Sequence, residues 1–238
     1  MEKGFKVKEE NGITYLQLPI FRRIRHAFCT RLTEEEGACA ALGIPEGRLL
    51  TLRQVHGAEV LIFGDETKAA LTYPLPYDAV ITDKKRVALG IWTADCIPIL
   101  MMDVSKRIIA AVHAGWRGIW RGVIERTVNA MMKTFASSPA DIVAGIGPGI
   151  GPCCYEVQQD VVSLFRNSYG SPDQLIQERE GRTYLDLSRA AQLELSKVEI
   201  PPDNIETITL CTCCREDLFF SFRRDKRPGR QLSFIMMR

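Results

Sequence analysis

Three short segments of the sequence carry side chains that could bind one metal ion. They read Arg53-Gln54-Val55-His56-Gly57, Thr93-Ala94-Asp95-Cys96 and Val112-His113-Ala114-Gly115-Trp116-Arg117-Gly118. Two imidazoles and one thiolate can ligate zinc and leave a fourth position open, as catalytic zinc sites do. The spacing forms no local metal motif, so the fold must bring the three side chains together. His56, Cys96 and His113 are the candidate ligands.

The segments resemble a known family, the bacterial laccase-domain proteins, also called multicopper polyphenol oxidoreductase-like or purine nucleoside phosphorylase-like proteins. The segments that match this family in order are residues 26–31, 54–57, 93–96, 113–118, 146–148, 151–157, 211–212, 219–224 and 229–230. The resemblance implies one zinc ion bound by His56, Cys96 and His113. It also implies phosphorolysis of adenosine- or inosine-type purine nucleosides, with accompanying deamination of adenosine.

The predicted catalytic residues are Cys96, His113 and Asp95. Asp95 precedes Cys96, and its carboxylate could accept a hydrogen bond from a ligand imidazole, as metal sites commonly require. The alternative is that Asp95 caps the turn that follows it. His26, the third histidine, lies in a strand-like stretch and is interpreted mainly as a packing residue.

Phosphorolysis requires a site for inorganic phosphate, which the planar guanidinium group binds in a bidentate manner. Arg31, Arg53 and Arg117 lie within or beside the matching segments and are the candidates. Arg53 is the first choice because it precedes the ligand His56 by three residues. Positions three apart on an extended chain point to opposite faces, so this assignment requires a turn around Gln54 and Val55.

Composition limits the remaining possibilities. The chain has 238 residues, of which 46% are hydrophobic, and a formal net charge of +2. These values predict a single domain over residues 1–238 and give no indication of nucleic acid as a partner. No apolar run is long enough to cross a membrane or to form a signal peptide, so a cytoplasmic protein is expected. Composition does not indicate the oligomeric state.

Eight cysteines are present, and in a cytoplasmic protein they are expected to be reduced thiols. Five of them fall into two groups, Cys153-Cys154 and Cys211-Thr212-Cys213-Cys214. The favoured interpretation is that they pack where backbone segments come close. A second, structural zinc site is the alternative.

The pattern of apolar residues predicts a mixed α and β chain. Strands are predicted around residues 11–18, 77–83, 87–93, 107–112, 141–146, 207–210 and 231–236. Helices are predicted over 119–135, 157–169 and 187–197, the second ended by Gly170. The resemblance implies an α+β fold, a single-domain layered α-β-β-α sandwich with mixed sheets.

Three other functions are compatible with these residues. Cys96 and His113 could act as nucleophile and base of a cysteine hydrolase or amidase, including an editing enzyme for cell-wall precursors. Three histidines are too few for a multicopper laccase, yet one Cys/His site can take up copper in vitro and oxidise polyphenols weakly. The chain could also be a metal-binding partner protein without enzymatic activity.

Overall fold

The computed structural model describes residues 4–22, 24–31, 37, 39–40, 42–67, 72–169, 174–226 and 229–238. Within these ranges the strands are β1 (Lys6–Glu10), β2 (Ile13–Gln17), β3 (Arg25–Cys29), β4 (Leu49–Thr51), β5 (Val60–Phe63), β6 (Ala79–Thr82), β7 (Ala88–Thr93), β8 (Ile97–Asp103), β9 (Ile108–Ala114), β10 (Ile142–Ile146), β11 (Ile176–Arg179), β12 (Arg182–Leu185), β13 (Ile205–Thr207) and β14 (Gln231–Met236). The helices are α1 (Trp116–Trp120), α2 (Val123–Phe135), α3 (Gln159–Tyr169), α4 (Leu187–Lys197) and α5 (Phe222–Asp225).

Two mixed six-stranded sheets form the centre of the described structure. In sheet A the strand order is β1-β2-β3-β14-β7-β4, and in sheet B it is β13-β10-β8-β9-β6-β5. Most neighbours are antiparallel, whereas β4 runs parallel to β7, β5 to β6 and β13 to β10. The chain passes from sheet A to sheet B between β7 and β8 and again between β4 and β5.

The sheets pack face to face because alternate residues of each strand point to opposite sides. In β8, Leu100 packs into the core between the sheets, while Ile99 and Met101 pack into the core under the helices. Both sides are apolar, which explains why β8 and β9 are continuous hydrophobic runs.

Helices cover the outer face of sheet B. α2 presents Ile124, Val128 and Met131, which lie one turn apart and are fully buried. A third cluster of buried side chains covers the outer face of sheet A. In it Leu42 and Ile44 pack with residues of the sheet such as Ala27 and Phe234, and Cys39 packs against them. The predicted α+β fold of layered, mixed sheets is confirmed. Among the described residues, no helix is long and apolar enough to cross a bilayer.

Two sequence predictions need correction. The helix predicted over 119–135 is broken into α1 and α2, because Gly122 adopts a left-handed φ of 78°. The strand predicted over 207–210 is instead β13, which ends at Thr207 because its partner β10 ends at Ile146. Gly170, predicted to end α3, lies outside the described residues.

His26 is a packing residue of sheet A. It is 3% exposed, its Nε2 accepts the N–H of Leu18 at 3.0 Å, and its Nδ1 lies 3.1 Å from the carbonyl oxygen of Ile24. These partners assign the neutral tautomer that carries its proton on Nδ1. Burial lowers the pKa of His26 to about 4.

The buried neutral imidazole predicts that acid destabilises the fold. Above pH 6.5 the residue is neutral in both states, whereas between pH 6.5 and about 4 only the unfolded chain takes up the proton. The free energy of unfolding should therefore fall by about 3 kcal/mol over this interval. Urea titrations of protein treated with a chelator measure the change. His26→Gln should lack this component, and equal pH slopes in the two proteins would refute the assignment.

Candidate metal centre

The three candidate ligands lie where the chain passes between the two sheets or reaches the end of a strand. His56 lies in the connection from β4 to β5, and Cys96 in the turn from β7 to β8. His113 is the penultimate residue of β9 and pairs with Pro98, two residues beyond Cys96. Cys96 and His56 therefore lie in strand-to-strand connections, and His113 lies at the end of a strand.

The three side chains converge. One ligand atom from each of His56, Cys96 and His113 lies within 4.8 Å of the others. The two imidazole rings meet edge to face, with their centroids 4.8 Å apart. His113 is buried, Cys96 is half-buried and His56 is exposed, so the cluster opens to solvent on the His56 side. The three side chains are therefore placed as the binding of one ion would require.

Gly115 has no side chain, and its position provides the space in which the three candidate ligands meet. A Cβ atom at this position would lie 3.1 Å from the Cys96 sulfur and 3.1 Å from Nδ1 of His56. Any larger residue would therefore push both ligands aside. The donor set and the space beside it fit a zinc ion, since two nitrogens and one sulfur are common zinc ligands.

Asp78 links the two histidine segments. It is fully buried, and its Oδ1 lies 2.7 Å from Nδ1 of His113, which leaves Nε2 of that ring facing the cluster. The same carboxylate accepts backbone N–H groups from Val55, His56 and Gly57 at 3.3, 2.9 and 2.6 Å. These bonds stabilise the left-handed φ of 57° at His56. Asp78 therefore orients His113 and fixes the loop that carries His56.

The electrostatic environment favours charge separation in the cluster. Burial opposes ionisation of Cys96, but His113 and His56 outweigh it and lower the pKa of the thiol to about 6. Burial likewise disfavours the charged form of His113, yet Cys96 and Asp78 raise its pKa to about 9. Burial opposes the charge on Asp78 as well, but His113 and the Gly57 N–H hold its pKa below the usual value. A thiolate is the form of cysteine that binds metal or attacks a carbon atom.

The expectation that Asp95 orients a ligand imidazole is wrong. Its Oδ1 accepts the hydroxyl of Thr212 at 2.7 Å, and its Oδ2 accepts the backbone N–H of Arg223 at 2.7 Å. Both oxygens thus hold segments that lie 117 and 128 residues farther along the chain. The imidazole acceptor is Asp78, for which the sequence predicts only a place in a strand.

The three candidate arginines differ in their surroundings, although all are exposed. Arg31 donates to the carbonyl oxygen of Glu216 and lies over the ring of Phe220. The backbone N–H of Arg53 bonds to Leu75, and the turn that its assignment requires occurs one residue late, at His56. Arg117 stacks on Trp116, with its guanidinium carbon 4.4 Å from the ring centroid.

Tyr155 and Arg223 adjoin the cluster and were not among the predicted site residues. Burial and the charge of Cys96 raise the pKa of Tyr155, whereas Arg223 and Arg117 lower it. The Arg223 guanidinium lies 5.1 Å from the Tyr155 ring centroid and donates to the carbonyl oxygens of Cys154 and Glu156. Both residues occur in family-matching segments, which was the available signal.

The fold and the cluster define a class, namely two-sheet α+β proteins with an open His₂Cys centre between strand connections. Residues 32–238 match the family model described as multi-copper polyphenol oxidoreductase laccase. The chain belongs to this family of enzymes.

Relatives and solved structures agree with this membership. The chain is 36% identical over 203 residues to purine nucleoside phosphorylase YlmD of Geobacillus stearothermophilus, covering 82% of this chain and 74% of the relative. It is 31% identical over 193 residues to adenosine deaminase RL5 of an unknown prokaryotic organism, covering 77% and 72%. The crystal structure of YlmD superposes with a TM-score of 0.90, at 30% identity and over 98% of both chains.

The laccase name does not match the ligands of this chain. A multicopper oxidase needs a mononuclear site and a trinuclear cluster rich in imidazoles. The chain has three histidines, and His26 is occupied in the core of sheet A. Only His56 and His113 remain, which suffices for one ion.

Proposed function

We propose that this chain is a zinc-dependent enzyme that cleaves adenosine- and inosine-type nucleosides with inorganic phosphate and also deaminates adenosine. The observation that carries the proposal is the convergence of His56, Cys96 and His113 on an open position. The two relatives, named a purine nucleoside phosphorylase and an adenosine deaminase, support the same substrates. The proposal includes the cytoplasmic location expected from the sequence, where the eight cysteines would stay reduced.

Zinc held by these ligands would supply a Lewis acid that lowers the pKa of a bound water to about 7. The protein supplies orientation, because Asp78 holds the His113 ring and the His56 loop in place. For phosphorolysis, an oxygen of phosphate bonds to C1′ as the bond to the purine nitrogen breaks, and the purine takes the electron pair. The Tyr155 hydroxyl, whose pKa is raised by burial and by Cys96, remains protonated and could donate to the departing base.

Arg117 becomes the first candidate for the phosphate site, ahead of Arg53 and Arg31. Two observations support this choice: Arg117 follows by two residues Gly115, which lies against the Cys96 sulfur and the His56 ring, and its charge lowers the pKa of Tyr155. Stacking on Trp116 fixes the plane of the guanidinium and leaves its edge free for an anion. The Arg31 guanidinium already donates to the carbonyl oxygen of Glu216. Among the described residues, Arg53 shows no side-chain contact with the centre.

Arg117→Ala is expected to raise the apparent KM for phosphate at least about tenfold, because one bidentate partner of the anion is lost. Adenosine deamination uses water and should stay near the wild-type rate. Steady-state kinetics on both reactions measure the difference, with Arg53→Ala and Arg31→Ala assayed alongside. Arg166→Ala, which removes a surface ion pair with Glu178, is the control. Equal loss of both reactions would mean that Arg117 supports the centre rather than phosphate.

The proposed activity is tested by product chromatography. Purified protein of known zinc content is incubated with adenosine or inosine, with and without phosphate. Adenine or hypoxanthine plus ribose 1-phosphate should form only with phosphate, and inosine should form from adenosine without it. A protein with full zinc occupancy at the centre that forms none of these products would overturn the proposal.

A cysteine hydrolase is the second candidate function. The lowered pKa of Cys96 beside His113 is also what a nucleophile and its base would show. A thiolate bound to zinc is a poor free nucleophile, so metal content separates the two functions.

A further inference from the structure

Four cysteines from two distant turns meet outside the His₂Cys centre. Cys153 and Cys154 lie in the turn after β10, and Cys211 and Cys214 in the turn after β13. Their four sulfur atoms all lie within 4.8 Å of one another. The Cys214 sulfur is 3.4 Å from that of Cys153 and 3.4 Å from that of Cys154.

We propose that Cys153, Cys154, Cys211 and Cys214 bind a second, structural zinc ion as four thiolates. The ligand sulfurs of a tetrahedral zinc site lie about 3.8 Å apart, because each Zn–S bond is about 2.3 Å long. The two measured separations of 3.4 Å are slightly shorter than this value, and all the separations are below 4.8 Å. A disulfide would need about 2.05 Å between two sulfurs. A four-iron cluster would need sulfurs farther apart, since each binds a different iron atom.

The backbone around the cysteines is built for such a site. Cys211 and Cys214 have the C-x-x-C spacing of zinc-binding turns. The N–H of Gly151 points at the Cys211 sulfur at 3.2 Å, as backbone donors do toward metal-bound thiolates. Gly149 precedes the turn that holds Cys153 and Cys154, and it allows the backbone there to lie close to the β7–β8 connection. A Cβ atom at this position would lie 2.3 Å from Ile97 and 3.0 Å from the Asp95 carbonyl oxygen.

Positive charge surrounds the cluster. A zinc ion with four thiolates carries about two negative charges, which a protein must compensate. Three guanidinium groups donate to the backbone of the two turns: Arg179 to Pro152, Arg223 to Cys154, and Arg224 to Thr212 and Cys213. Arg224 also forms an ion pair with Asp225, so the compensation comes mainly from Arg179 and Arg223.

The second ion would join the turn of Cys153 and Cys154 to the turn of Cys211 and Cys214, and these turns contact the segment that carries Cys96. Thr212, between Cys211 and Cys214, bonds through its hydroxyl to Asp95 and through its N–H to Gly149. Asp95 in turn precedes the ligand Cys96. The cysteine cluster therefore fixes the position of one ligand segment without contributing to the catalytic ion.

Zinc content tests this proposal separately from the proposed function. Wild-type protein, purified reduced and saturated with zinc, should carry about two ions per chain. Cys214→Ser should lose one ion and Cys96→Ala the other, whereas Cys213→Ser should keep both, because Cys213 lies outside the four. If wild-type protein binds zinc and the Cys96→Ala protein binds none, the second site does not exist, whereas the His₂Cys site is still supported.

X-ray absorption of zinc-loaded Cys96→Ala protein gives a second measurement that leaves the four cysteines unaltered. The expected result is a shell of about four sulfurs near 2.3 Å with no nitrogen. A shell containing nitrogen, retention of iron rather than zinc, or a disulfide between these cysteines in freshly purified protein would each overturn the assignment.

Discussion

Cys96→Ala should abolish purine release and remove zinc from the His56–Cys96–His113 centre. Two imidazoles without the thiolate are a poor zinc site, and the Lewis acid contributes several kcal/mol to the transition state. We therefore expect a loss of at least about 1,000-fold in kcat/KM. Cys96 lies in a turn, so the circular dichroism spectrum should be unchanged. Kinetics and elemental analysis on the same preparation measure both effects.

The comparison with other variants decides between the two candidate functions. His113→Ala should show the same joint loss, and Cys213→Ser should retain activity and metal. If Cys96→Ala keeps the full zinc content and loses activity, Cys96 acts as a free nucleophile and the cysteine hydrolase function is correct.

Asp78→Asn should weaken zinc binding by about 10- to 100-fold, as changes of groups that orient metal-bound histidines do. The amide is uncharged and presents one oxygen, so it can satisfy only part of the bonds to His113, Val55, His56 and Gly57. Loss of hydrogen bonds to a buried charge should also lower the free energy of unfolding by about 2 to 3 kcal/mol. Zinc competition with a chelating dye and urea titration measure the two quantities.

Asp83→Asn is the matched control for this substitution. Asp83 follows the same strand, β6, but is exposed and forms a loose surface pair of 3.7 Å with Lys84. Its replacement should change neither zinc affinity nor stability measurably. An Asp78→Asn protein with wild-type affinity would show that packing alone orients the two histidines.

Local patterns were sufficient to predict several elements. The bounds of α4 over 187–197 and β14 over 231–236 agree with the structure, since apolar periodicity depends on neighbouring residues. The three candidate metal ligands could be predicted because each lies in a short segment that matches the family. These features required no knowledge of which strands are adjacent.

Long-range contacts could not be predicted in this way. Asp78 bonds to His113 across 35 residues, and no pattern near Asp78 distinguishes it from other strand-end carboxylates. Cys154 and Cys214 are 60 residues apart and meet only because β10 and β13 are neighbours in sheet B. Asp95 was assigned the role of Asp78 because adjacency in sequence does not show where a carboxylate points.

Strand β14 lies in the middle of sheet A, hydrogen-bonded to β3 on one side and to β7 on the other. Its residue Gln231 pairs with Thr93, three positions before Cys96. During translation, β14 can therefore join β3 to β7 only after residues 231–236 have been synthesised. Such non-local pairing slows folding, because the entropy of closing long loops is lost before contacts form. The Cys96 turn thus acquires this support only after residues 231–236 have been made, and metal loading is expected to follow their synthesis.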